Sequence, residues 1–293
     1  MSNATKTLSA LLAALIVLTV LVELMSSTGS SEAFRENLLA YNADQINRIE
    51  VQRAGQKNPV LLEKTKDAWV VKAGTTSEEY PADSNMVATV LRELNSLQTK
   101  AVVTRDTSAF TRFKVDSTGT KVTFFDNSEP VGSITIGAPQ FVSRQEINTY
   151  VRPGDGQTVY SVEGFLAPNI NKEVDGWRNK QVWDINRNNI TQVDLLYPAD
   201  SSFSIMKAEP GKWTSVGDTL SQSNVDRLIN QVNSLRATGF PNTDTLSVDQ
   251  FPNPLYTVRL HLDNGSQKAL RLKLPGGGEG GNGDGNEPTT YLA

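Results

Sequence analysis

Apolar positions along this chain alternate with polar ones in short runs, switch once to a helical period, and then repeat the whole order. Ile46, Ile49 and Val51 open a strand before a turn at Gly55 to Pro59. Val60 to Leu62 and Trp69 to Val71 follow as two more short strands, with Lys64 to Asp67 as the hairpin turn between them. At Asp83 the period changes. Met86, Val87, Val90, Leu91, Leu94 and Leu97 recur at helical spacing, which predicts one apolar stripe on a helix of about four turns capped by Asp83. Beyond it, Ala101 to Val103, Val122 and Phe124, Ile134 and Ile136, Tyr150 and Val151, and Val159 to Val162 alternate as half-buried antiparallel strands do.

The second half repeats this order. Ile46, Ile49, Val51 and Trp69 match Ile190, Val193, Leu195 and Trp213 at one constant offset of 144. Val87, Leu91, Leu94 and Leu97 match Val225, Ile229, Val232 and Leu235 at 138, a loss of six residues before the helix, where loops tolerate deletion. Val122, Phe124, Ile134 and Ile136 match Val258, Leu260, Leu270 and Leu272 at 136, and Tyr150 answers Tyr291. The expected fold is therefore α+β: two tandem repeated modules of mainly antiparallel sheet, each packed on one helix, over residues 45–166 and 189–293. The last module stops just after Tyr291, either lacking the final strand by design or shortened. The connector, 167–188, is polar but carries Trp177 and Trp183. Rings of that size are expected to pack against the modules. The alternative is an exposed patch in which Trp177, Arg178 and Trp183 are candidate partner-binding residues.

The start of the chain has a different pattern. Leu8 to Met25 are 18 residues whose only charge is Glu23, long enough as a helix to reach roughly 27 Å. The expectation is an N-terminal transmembrane helix over 8–25, after a cytoplasmic start at 1–7 that contains Lys6. A cleaved signal peptide is the rival, but its apolar region is shorter and ends in a small-x-small site. Residues 26–44 then form a polar spacer, Ser26 to Ser31, and a short juxtamembrane helix with Phe34, Leu38, Leu39 and Tyr41 on one face. Lys6 on one side and the acidic Glu23, Glu32 and Glu36 on the other place the bulk of the chain outside the cytoplasm.

Charge and composition add mainly exclusions. A net charge of −4 from 28 basic and 32 acidic residues gives no nucleic-acid footprint. The absence of cysteine removes disulfides, thiolate metal sites and a lipoprotein anchor. His261 is the single histidine; strand alternation turns it, with Arg259, away from Val258, Leu260 and Leu262, and its match in the first module is Phe125. A surface histidine is expected, with no metal site and no cofactor. Gly276 to Asn286 lacks both the lysine of a phosphate-binding loop and a following helix, so a flexible loop is expected. Glu78 with Glu79, and Asp116 near Asp126, are read as solvated surface carboxylates.

Several of these elements together resemble a known family. Tyr80-Pro81-Ala82-Asp83 before a helix ending in Leu94-x-x-Leu97, the strand Ile134-x-Ile136-Gly137, Tyr150-Val151-Arg152, and Trp177-Arg178-Asn179-Lys180 before a new strand resemble the bacterial domain of unknown function 4340, over about residues 40–293. The resemblance implies a membrane-anchored, extracytoplasmic protein whose gene neighbours an ABC-type export system and gliding-motility-like auxiliary subunits; it implies no catalytic residues. The functional expectation is a non-enzymatic, single-pass protein of the bacterial inner membrane with its C-terminal bulk in the periplasm. It would serve as an accessory or scaffolding subunit whose partners are the lipid bilayer and an ABC-type transporter or its auxiliary subunits, with no nucleic acid. The alternative is an extracytoplasmic module that binds a glycan or peptide, and the third reading is a carboxylate-dependent hydrolase.

Overall fold

The structure, a computed structural model, describes residues 38–39, 41–66, 68–74, 76–198, 201–240 and 256–272. The expected cytoplasmic start, transmembrane helix and spacer, the glycine-rich loop and Tyr291 lie outside the described residues. Among the described residues, no helix is long and apolar enough to cross a membrane. Of the juxtamembrane helix expected up to Tyr41, the described residues Leu38, Leu39 and Tyr41 are not helical. They dock all the same. Both leucines are buried in the first core, and Tyr41 lies 4.5 Å from the Phe124 ring, its hydroxyl donating to the Leu91 carbonyl at 2.9 Å. Burial pushes that phenol above its usual range.

The chain divides into two units, Met1–Asn179 and Lys180–Ala293. In the first, β1 (Arg48–Gln52), β2 (Val60–Lys64), β3 (Trp69–Ala73) and β4 (Tyr80–Pro81) form an antiparallel meander. Alternation sets its inner face: Ile49, Val51, Leu62 and Val71 are buried while their neighbours are not. The chain then turns into α1 (Ser84–Asn95), where the Asp83 carboxylate accepts the free Met86 N–H at 3.1 Å. Val87, Val90, Leu91 and Leu94 bury the predicted stripe. After α1 come β5 (Thr99–Thr104), the single turn α2 (Phe110–Phe113), β6 (Thr120–Asp126), β7 (Glu129–Phe141), β8 (Ile147–Pro153) and β9 (Val159–Glu163). The nine strands order as β4-β3-β2-β1-β6-β7-β8-β9-β5. Two short helices, α3 (Ala167–Ile170) and α4 (Val174–Trp177), complete the unit.

The second unit contains β10 (Ile190–Leu196), β11 (Phe203–Glu209), β12 (Lys212–Ser215), β13 (Asp218–Leu220), α5 (Gln222–Asn233), β14 (Tyr256–Leu262) and β15 (Gln267–Leu272). Its sheet orders as β13-β12-β11-β10-β14-β15, all antiparallel. Val193, Ile205, Trp213, Val225, Ile229 and Leu260 lie at the centre of its core. Both units are thus mainly antiparallel sheet with few helices, an α+β arrangement.

The connector does not stand apart from these units. Residues 167–179 belong to the first, where Ile170 and Trp177 join the core, and 180–188 to the second, where Trp183 does. Backbone pairing fixes each half. The Trp177 carbonyl accepts the Asp83 N–H at 2.9 Å, and the Pro81 carbonyl accepts that of Asn179 at 2.8 Å. In the second unit the Leu235 carbonyl accepts the Val182 N–H at 3.0 Å.

Candidate functional site

Trp177 is 1% exposed and Trp183 5%, so neither ring faces solvent, and the expectation that they pack accounts for both better than an exposed patch does. Arg178 lies beside them in sequence but stacks over the Tyr80 ring at 3.9 Å and pairs with Asp175 at 3.2 Å. These three residues do not form one surface. Each ring fills a core of its own, and the guanidinium is held within the first unit.

Exposed apolar side chains gather elsewhere, at the tip of the β7–β8 hairpin. Phe141 is 70% exposed, Val142 51% and Phe165 45%. Phe141 pairs across the ladder with Ile147, and the Ile147 carbonyl accepts the Gly164 N–H at 2.9 Å, which sets Phe165 at the same end of the three strands. The tip is built, not frayed. Val142 N–H bonds the Glu146 carbonyl at 3.0 Å, and the Ser143 hydroxyl accepts the N–H groups of Gln145 and Glu146. Strand β7 spans 13 residues, roughly 43 Å at strand rise. Large apolar side chains collected at the end of such a lever suit contact with another molecule.

The second cluster lies on the outer face of the second sheet. Asp194, in the middle of β10, has a side chain only 8% exposed although the strand's alternation turns it away from the core. It is satisfied by three donors: Gln192 Nε2 and Ser204 Oγ to Oδ1, and His261 Nε2 to Oδ2, each at 2.7 Å. Arg259 Nη1 stands 3.9 Å from Oδ2. Burial would raise this carboxyl, but the hydrogen bonds from Gln192, His261 and Ser204 and the nearby imidazole outweigh it and hold the carboxyl below its ordinary range. In a hydrolytic triad the imidazole sits between hydroxyl and carboxylate. Here the carboxylate sits between hydroxyl and imidazole, and Ser204 donates to Asp194, an arrangement that clasps β11, β10 and β14 together.

His261 is therefore on the outer face, as alternation predicts, but its side chain is only 23% exposed and bound. Sequence reasoning passed over Asp194 because alternation assigns it to solvent. The signal lay in register: Asp194 pairs opposite Arg259, and Gln192 opposite His261. At the matched positions of the first unit, Arg48 lies 3.5 Å from Glu50 and 4.1 Å over the Phe125 ring. The acidic pairs singled out by sequence do not converge. Glu79 pairs with Lys72 and Glu78 accepts from Tyr80, while Asp116, held down to about 2 by the hydroxyls of Thr111 and Thr118, caps its own turn. Among the described residues, no group of three or more histidine, aspartate or glutamate side chains is placed to hold a metal ion.

Comparison with known proteins places these features in a family. The profile described as Domain of unknown function (DUF4340) matches residues 69–254, from the start of β3 into the second unit. No curated protein and no solved structure matches the chain.

Proposed function

Because the chain belongs to the DUF4340 family, we propose that it acts without catalysis, as a membrane-anchored accessory or scaffolding subunit of a membrane complex. Residues 8–25 form its single-pass anchor in the bacterial inner membrane, the two units stand in the periplasm, and the partner is an ABC-type transporter or one of its auxiliary subunits. The apolar run from Leu8 to Met25 supports the anchor. The observation that carries the scaffolding role is the hairpin tip, with Phe141, Val142 and Phe165 held exposed on a hydrogen-bonded lever. The two modules are a duplicated unit; this is supported by the constant sequence offsets and by the shared order of β4-β3-β2-β1-β6-β7 and β13-β12-β11-β10-β14-β15.

Purification of the full chain from membranes in mild detergent tests this function. The wild-type protein should bring a stable membrane partner, and Phe141→Ser combined with Phe165→Ser should lose it while melting at an unchanged temperature. Isolation as a lone monomer would sink the scaffolding role. Retention of the partner by the folded double variant would move the contact off the tip.

A further inference from the structure

In each unit a 3-10 turn leads into the first strand under an asparagine cap: the Asn42 side chain accepts the Asp44 N–H at 3.1 Å, and that of Asn186 accepts the Asn188 N–H at 3.0 Å. What spans from this turn to the unit's long helix differs. In the second unit Arg187, the first residue of the turn, reaches α5 and donates to the Asp226 carboxylate at 2.9 Å and to the Asn230 side chain at 3.2 Å. Its side chain covers the ground between turn and helix. In the first unit the turn begins with Ala43, and Asp226 and Asn230, four and eight residues after the start of α5, are answered by Ala88 and Arg92 at the same steps of α1. The covering arginine and its carboxylate acceptor are both alanine here. A cavity of about 440 Å³ lies at this place, within the roughly 300–1,000 Å³ usual for small-molecule sites.

Trp69 and Leu91, both buried, and the two alanines form the apolar part of the cavity. Its charged part is Asp44 from the turn, Lys64 opposite Trp69 in the ladder, and Arg92 from α1. Among the described residues these three side chains form no ion pair, and the Arg92 guanidinium reaches only the Thr89 hydroxyl, at 3.4 Å. We propose that this cavity binds a free α-amino acid with an aliphatic side chain. The ligand's carboxylate meets Arg92 and Lys64, where a guanidinium can donate two hydrogen bonds at once. Its ammonium meets Asp44, and its aliphatic body covers Trp69 and Leu91. A second negative charge on the ligand would be repelled by Asp44. Trp69 is 6% exposed and so offers too little of its face for a sugar ring to stack on. The assignment rests on the first unit alone and does not depend on the membrane attachment or on the hairpin tip.

Isothermal titration calorimetry of the full chain in mild detergent, with alanine, valine, leucine and isoleucine in turn, tests this. At least one should bind saturably at millimolar concentration or below. The amide of that amino acid, which lacks the carboxylate, and its N-acetyl form, which lacks the ammonium, should each bind about tenfold more weakly, as the loss of one charge-assisted contact requires. Arg92→Ala, at an exposed position of α1, should weaken binding by a similar factor with an unchanged melting temperature. Ala43→Arg combined with Ala88→Asp, which rebuilds the second unit's cover in the first, should abolish binding while the protein still melts cooperatively. Failure of all four amino acids to saturate would overturn the proposal, as would unchanged affinity in Arg92→Ala or in the folded double variant. Equal binding of the N-acetyl form would also overturn it and would assign the cavity to the C-terminal residue of a polypeptide.

Discussion

Removing the Asp194 carboxylate tests whether a hydrogen-bonded acid on the outer face of a sheet holds the second unit together. Hydrogen bonds to a charged group contribute about 1.5–3 kcal/mol each, and the full cost falls on donors left buried without an acceptor. Asp194 has three such donors at 2.7 Å, but His261 is 23% exposed and can be rehydrated. Asp194→Ala is therefore expected to cost about 3 kcal/mol, well below the sum of three bonds. Asp194→Asn keeps the shape and one acceptor and is expected to cost about 1 kcal/mol, since the Ser204 hydroxyl can rotate to accept. For a unit of this size roughly 4 °C accompanies each kcal/mol, so the alanine variant should lower the second unit's melting temperature by about 12 °C. The pH dependence has a fixed sign. The folded carboxyl is depressed relative to the unfolded chain, so its stabilisation is fully present above the unfolded value near 4 and is lost as pH falls through the folded one. The gap between wild type and Asp194→Asn should therefore be widest near neutral pH and close in acid. Calorimetric melts of the full chain between pH 7 and pH 3 measure both. A cost below about 1 kcal/mol for Asp194→Ala, or a gap that does not change with pH, would refute the clasp.

Three further outcomes are expected from other parts of the fold. Leu97→Ala should cost about 2–4 kcal/mol and Leu235→Ala under about 1.5 kcal/mol, because Leu97 is 6% exposed and Leu235, at the end of the other unit's helix, is 38%; thermal melts decide. Gly137→Ala should destabilise the first unit by more than about 2 kcal/mol in urea titration, since its Cβ would meet the Phe113 carbonyl oxygen at 2.2 Å and the Tyr150 carbonyl oxygen at 3.0 Å. Asp83→Ala should cost about 1 kcal/mol, read as faster amide exchange in the first turn of α1, whereas Ser221→Ala should cost less because Ser221 makes no side-chain cap to α5.

Most of the fold was legible in the sequence because its signals are local. Asp83 announces the start of α1, and the stripe from Val87 to Leu97 is buried throughout. The alternation of Ile49, Val51, Val193 and Leu260 names core residues directly. The polar composition of the connector hides which core each tryptophan enters. That choice is made by long-range backbone pairs, of Asp83 with Trp177 and of Val182 with Leu235. Asp194 was not legible, because burial of a polar residue on an outer face depends on cross-strand neighbours that only the register supplies. The exposed tip was equally hidden: Phe141 and Val142 read as one more short apolar run, and nothing local says that no core lies beneath them.

The pairing of Trp177 with Asp83 has a consequence for how the protein is made. The residue that caps α1 donates its own N–H to a carbonyl near the far end of the first unit, and Trp177 then closes the core in which α1 lies. The first unit cannot reach its final packing while its last residues are still inside a ribosome. Until Asn179 emerges, α1 and the early strands wait with their apolar face unsealed, and a chain interrupted shortly before that residue would be a substrate for proteases.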